Sequence, residues 1–471
     1  MSASVELTRA LAEHAAALAL DRLPAEVVAK AKLCVLDTLG CALAGVRHPV
    51  IVSLVEALRP AVVDDGTGAS LWGRGMRTAA PQAALVNASA AHVVNADDAH
   101  KESMGHPACV VIPAALVMGE IANASGAAVL EAVVAGYEAV LRIGVGVGVA
   151  SHRDRGWYAT STLGPFGAAT AAARLLGLAA DGVAGAIGHA GAQASGLWSF
   201  TADGSLANVV YPGRAAELGV LGALLVRSGL PGPTRVLEAS DGGFLRAMSD
   251  APAVERILAD LGRRFAIMDV SLKPYPCSRT THAPIDACLA IRGRMGGAPG
   301  WTERISRITV RTYAVAKRQA DIPDPGTEWM STLSINYTAA VALIEGAVGV
   351  EHFTRRYLDD PAIRALMARV EVVVDPEIAA RFPTAWSCRV EVETRGGPRD
   401  VETVLSARGD PKNPMTEAEV RDKFHALTRD VVDGEVAKRI CDAIDGLERM
   451  PSVVPLAGLL REAGRGAELT A

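Results

Sequence analysis

The sequence predicts a mainly α protein, a large all-helical domain with an inserted smaller α+β domain. Three observations predict it. Half of the 471 residues are hydrophobic but only 4% are aromatic, and Ala and Gly abound, a composition that lets helices approach closely around a large core. From the start to about residue 265 the apolar residues recur at helical spacing, in segments rich in Ala, Leu and Val. Near residue 268 the pattern turns to alternation with β-branched residues, and helical spacing returns after Asn413-Pro414. The expected boundaries are therefore residues 1–268 plus 405–471 for the helical domain and 269–404 for the α+β domain.

Taken in order, residues 24–44, 108–122, 127–143 and 161–178 read as helices, each punctuated by Gly or Pro. Residues 304–313 (RISRITVRTY), 370–374 and 388–393 alternate apolar with polar positions, as half-exposed strands do, and Gly396, Gly397 and Pro398 read as a turn. Residues 416–427 and 433–447 return to the helical period. The run IGVGVGVA, with Gly144, Gly146 and Gly148, has the wrong spacing for a dinucleotide loop and follows helical sequence; it reads as a Gly-rich loop where helices cross.

Composition narrows the function. The net charge is −5 with both signs interspersed, so there is no electrostatic footprint for nucleic acid. The seven cysteines form no CxxC pair, which predicts reduced thiols and a cytoplasmic setting. The N-terminus lacks a signal-peptide core, and the most apolar stretch, 109–150, is interrupted by Glu120, Glu131, Glu138 and Arg142, so no membrane association is expected. The ten histidines show neither HExxH nor HxH spacing, which predicts no metal.

Three segments concentrate reactive side chains. In the first, a small-residue helix carrying Asn87 and His92 gives way to Asn95, Asp97, Asp98, His100 and then His106-Pro107. Pro107 suits the first turn of a new helix, which places His106 where free N–H groups and the helix dipole favour an anion and a neutral imidazole. The second is Arg153-Asp154-Arg155-Gly156-Trp157-Tyr158, where arginine offers a fork for carboxylates and the alternative is a plain surface turn. The third runs from Lys273 to His282 and includes Arg279, on a backbone stiffened by Pro274 and Pro276; a lysine in such a cleft can serve as a base, and the alternative is a rigid linker. His189 reads as a core residue, and Cys277, with no histidine partner in a nucleophile motif, does not point to a thiol mechanism.

Together these segments resemble the MmgE/PrpD family, which includes 2-methylcitrate dehydratase, cis-aconitate decarboxylase and iminodisuccinate epimerase. The resemblance rests on LDTLGCALAG (36–45), the N…H…DD…HP block (87–107), RGW (155–157), GPFGAATAAARLLGL (164–178), QASGL (193–197), YPGRAAELG (211–219), KPYPCSRTTHAPIDA (273–287), STLSINYTAAVAL (331–343) and NPMT (413–416). It implies a homodimeric, cofactor-independent enzyme that removes a proton next to a carboxylate of a small polycarboxylic acid. It also implies substrate contacts from Arg155, Arg279, His282, Asn95, Asp97, Asn208 and Tyr337. Lyase members tend to carry Asp, Thr, His and Lys where this chain has Asn95, Ala99, Tyr158 and Asn208. With Tyr158 and Lys273 present, the resemblance leans to the epimerase branch, with those two and His106 as the catalytic groups acting on an amino- or imino-dicarboxylate. The alternatives are a dehydratase or decarboxylase of a citrate-like acid, and a family member that has lost catalysis.

Overall fold

The computed structural model describes residues 6–59, 67–295, 300–397 and 399–464. By their contacts they form two compact units. The first comprises residues 1–93, 97–270 and 416–471, and the second 94–96 and 271–415. The three residues Val94–Ala96 thus group with the second unit although their chain neighbours on both sides belong to the first.

The first unit is mainly helical. Its centre is the helix pair Ala159–Leu175 and Val210–Arg227, flanked by Ala80–Val93, Ala108–Ile121, Gly126–Gly146 and Ala180–Gly191. Small residues make this crossing possible. A Cβ on Gly219 would lie 2.3 Å from the Ala168 side chain, and one on Gly213 would lie 2.5 Å from the Leu85 carbonyl oxygen, so any larger residue separates these helices. The stretch Leu206–Arg227 is, among the described residues, the one helix long and apolar enough to cross a membrane. It carries Arg214 and Glu217, and 56% of its apolar window is buried within the protein.

The charges that interrupt the apolar helices are paired. Glu120 accepts from Ser70 N–H and hydroxyl, at 2.8 and 2.7 Å, and lies 2.8 Å from Arg77. Glu138 and Arg142 form a buried pair at 2.6 Å, one helical turn apart. The glycine run differs from expectation. Gly144 and Gly146 fall inside the helix Gly126–Gly146 rather than in a loop, and only Gly148, at φ +71°, breaks it. They are small because Ser103 and Ile257 press on that face: an added Cβ would sit 2.5 Å from the Ser103 side chain and 2.1 Å from that of Ile257.

The second unit holds a four-stranded sheet in the order Val370–Val374, Ile305–Thr312, Cys388–Thr394, Arg399–Val404, with the first pair parallel and the others antiparallel. Alternation sets its faces. Ile308 and Val310 pair with Val370 and Val372 on one side and with Val392 and Val390 on the other, forming an apolar face against the helices Arg279–Arg294 and Ile335–Glu345. The opposite face is charged, with Arg311 held 2.8 Å from Glu391. Gly396 adopts φ +69° in the expected turn; Pro398 lies outside the described residues.

Candidate functional site

In the first unit residues 87–93 and 97–106 fold into a compact reactive cluster. The helix Ala80–Val93 delivers His92 at its last turn, the loop turns back with Asp97 and Asp98, and His106 immediately precedes the helix Ala108–Ile121. Tyr158 arrives from a distant part of the chain, directly before the helix Ala159–Leu175.

The contacts form a chain. Tyr158 Oη lies 3.0 Å from His92 Nε2, and His92 Nδ1 lies 2.7 Å from Asp97 Oδ2. A carboxylate only accepts, so the Nδ1 proton points to Asp97 and Nε2 is left to accept from the tyrosine hydroxyl. His92, Asp97 and Tyr158 are all at least 95% buried. Around Tyr158 stand Trp198, Phe200 and Tyr211, with ring centroids 5.2, 5.5 and 6.3 Å away, and burial pushes its hydroxyl well above the ordinary tyrosine pKa.

His106 lies beside this chain, its ring centroid 5.1 Å from that of His92 and its Nδ1 3.6 Å from Asp97 Oδ2. Its Nδ1 is 2.5 Å from the Asp98 carbonyl oxygen, a contact that requires Nδ1–H and gives the neutral ring a basic Nε2. Thr160, two residues after Tyr158, ties the two segments together: its hydroxyl accepts from His106 N–H at 3.1 Å. His92, Asp97 and His106 also bring ligand-type atoms within 4.8 Å of one another, a grouping compatible with a divalent cation that histidine spacing did not signal. In the structure those atoms are engaged by one another, by Tyr158 and by the Asp98 carbonyl.

The Asp98 carboxyl takes the place expected for a ligand at the helix start. Its Oδ1 accepts from Ala108 N–H at 3.0 Å and its Oδ2 from Tyr137 hydroxyl at 2.9 Å. Burial pushes its carboxyl up to about 8. The folded protein then holds a proton on Asp98 that the unfolded chain, with a carboxyl near 3.8, has released, so this group's contribution to stability falls as pH rises between those values. Asp98→Asn, which cannot titrate, is expected to flatten the decline in denaturation midpoint over that window; equal slopes in the two proteins would refute the assignment.

Other expected site residues lie elsewhere. Arg155 is at the surface, 2.7 Å from Asp250, and is not part of the cluster. Asn208 is buried in the turn Leu206–Val209, and its Oδ1 has no hydrogen-bond partner among the described residues.

In the second unit, Lys273 is fully buried and its ammonium donates to Asn95 O at 2.7 Å and to Asn95 Oδ1 at 2.9 Å. Asn95 meets it in a left-handed conformation, φ +53°, and donates from Nδ2 to the Thr332 hydroxyl. Arg279 opens the helix Arg279–Arg294 and is buried, as is His282, whose Nε2 lies 3.2 Å from the Cys277 carbonyl. Tyr337 is a core residue here: its hydroxyl donates to the His352 carbonyl beneath the helix Ile335–Glu345. His92 and Asp98, named in the first of the three reactive segments, had no role assigned from the sequence, and Thr160 was not named.

The fold and the cluster belong to a defined class. Residues 9–257 match the MmgE/PrpD N-terminal domain and residues 275–449 the MmgE/PrpD C-terminal domain, so the chain is a member of the MmgE/PrpD family. Among individual relatives, it is 28% identical to cis-aconitate decarboxylase of Aspergillus terreus, over 96% of each chain. It is 25% identical to cis-aconitate decarboxylase of Homo sapiens, over 97% of this chain and 94% of that one. It is 23% identical to 2-methylcitrate dehydratase of Cupriavidus necator, over 75% and 74%.

Proposed function

We propose that this protein is a lyase that cleaves a bond next to a carboxylate of a small di- or tricarboxylic acid and delivers a proton to carbon, with decarboxylation as its first reaction. The observation that carries the reading is the buried chain from Tyr158 through His92 to Asp97, with His106 at its side. Loss of carbon dioxide breaks a carbon–carbon bond and leaves the electron pair on a carbon conjugated with a remaining carboxylate. That carbanion needs a proton. Tyr158 keeps its proton through the neutral range and can give it to that carbon; the phenolate left behind is reprotonated through His92, whose Nε2 first takes up a proton from solvent while its Nδ1–H stays on Asp97. Tyr158 and His106 are assigned as the catalytic groups, and His92 and Asp97 as positioning residues. The relatives named as decarboxylases, which align over nearly the full chain, support the same class.

Epimerisation by Tyr158 and Lys273 is the second reading, favoured by the presence of that pair in the sequence. It requires one partner to act as a base, whereas Lys273 donates to both oxygens of Asn95 and Tyr158 is held as an acid. Proton NMR in deuterated buffer separates the two. With cis-aconitate and related acids, loss of substrate with a deuterated, decarboxylated or dehydrated product is expected. Deuterium exchange at an α-carbon of a dicarboxylate, with no change in carbon skeleton or unsaturation, would replace the lyase reading with the epimerase one.

A further inference from the structure

A second group of side chains, wholly within the second unit, has unmet hydrogen-bonding capacity. Arg279 is 7% exposed and Tyr313 is 2% exposed. The guanidinium uses only its Nη2, which donates to the Ala407 carbonyl at 3.3 Å and stands 3.8 Å from Asp410 Oδ2. Its Nε and Nη1 are buried with no hydrogen-bond partner among the described residues, and so are the Tyr313 hydroxyl and the Trp386 indole nitrogen. These groups are neighbours. Arg279 and Tyr313 lie close enough for the charge of one to act on the other, and the Tyr313 ring is 6.0 Å from that of Trp386. Phe382, stacked on Tyr313 at 4.6 Å, fixes the phenol ring in place.

Every one of these unmet atoms is, or can serve as, a donor. Leaving several buried donors unsatisfied, one of them cationic, is costly, and what satisfies such a set is an oxygen-rich anion. We infer that Arg279, Tyr313 and Trp386 form a carboxylate-binding recess of the second unit. A carboxylate presents two oxygens with about four lone-pair sites, enough to accept from guanidinium, phenol and indole together, where a water molecule accepts only about two hydrogen bonds and brings no charge. The assignment rests on the proposed function for its ligand class, a small carboxylic acid, and names Tyr313 and Trp386 as carboxylate partners beside Arg279 within the second unit.

The test uses the full-length protein labelled with 5-fluorotryptophan, with Trp386→Phe identifying the relevant fluorine resonance among those of the six tryptophans. Acetate, succinate and citrate are titrated in turn. The Trp386 resonance is expected to shift saturably with at least one of them, and Tyr313→Phe, which keeps the ring stack, is expected to weaken that binding about tenfold. Arg279→Lys should weaken it further, but Tyr313→Phe decides the matter if the arginine variant folds poorly. A resonance unmoved by all three acids, or equal affinity in Tyr313→Phe and the parent, overturns the recess. Turnover with a silent Trp386 signal would leave the lyase reading standing and remove the recess. A saturable shift that persists in protein with no turnover on any acid would do the reverse.

Discussion

Tyr158→Phe is expected to lower kcat by about 10²–10⁴-fold while leaving the folded structure and its stability nearly unchanged. The ring sits among Trp198, Phe200 and Tyr211, and phenylalanine keeps those contacts. What is lost is the hydroxyl 3.0 Å from His92 Nε2, the only proton on that ring available for donation. If the hydroxyl merely anchored the ring, the variant would lose stability and keep its rate. If it supplies the proton, the rate falls and KM changes little, because the substrate's ground-state contacts remain. His92→Gln should show the same split, since an amide can accept from Tyr158 without passing a proton on. The measurement is kcat and KM on the acid that the NMR assay identifies. A Tyr158→Phe variant with parental kcat would sink the relay and return attention to His106 alone.

The order of elements was legible because most of it follows from spacing. The helix Ala108–Ile121 and the strand Val370–Val374 are visible from periodicity and β-branching alone. Arg399–Val404 escaped notice because it is an edge strand with charged residues at alternate positions, so its apolar face is too thin to signal. The parallel pairing of Ile305–Thr312 with Val370–Val374 is likewise a long-range choice that alternation cannot express.

The site was legible in part, and the reason lies in distance along the chain. Asp97 and His106 stood out because polar residues crowd the end of an apolar helix. His92 was named with them but without a role, because its meaning comes from Tyr158, 66 residues away. Arg155 shows the opposite case: it adjoins Trp157 and Tyr158 in sequence but pairs with Asp250 at the surface. Asp98 was visible as an acidic residue but not as the occupant of the helix start, because the burial that keeps its proton on up to about 8 comes from packing and not from its neighbours in sequence.

The largest effect on stability is expected at Lys423, far from these residues in sequence. Its ammonium meets Asp37 at 2.5 Å across 386 residues, with side-chain exposures of only 8% and 1%. The pair joins the helix Glu417–Thr428 to Ala25–Gly45, where Phe424 packs directly on Gly40. Burial pushes the Asp37 carboxyl up, and Lys423 is what pulls it back down. Lys423→Met therefore leaves an acid buried without its counter-charge, a change that costs about 3–5 kcal/mol, whereas removing both charges costs much less. The expected result is a large drop in denaturation midpoint for Lys423→Met and recovery of most of it in the Asp37→Asn/Lys423→Met double variant. Equal losses in the single and double variants would mean that the helix contributes through Phe424 packing and not through charge. The pair also bears on the cluster, since Asp97 is among the groups whose charge acts on both Asp37 and Lys423. The double variant should accordingly fold while shifting the pH dependence of kcat, because Asp97 would then hold the His92 tautomer without a buried cation behind it.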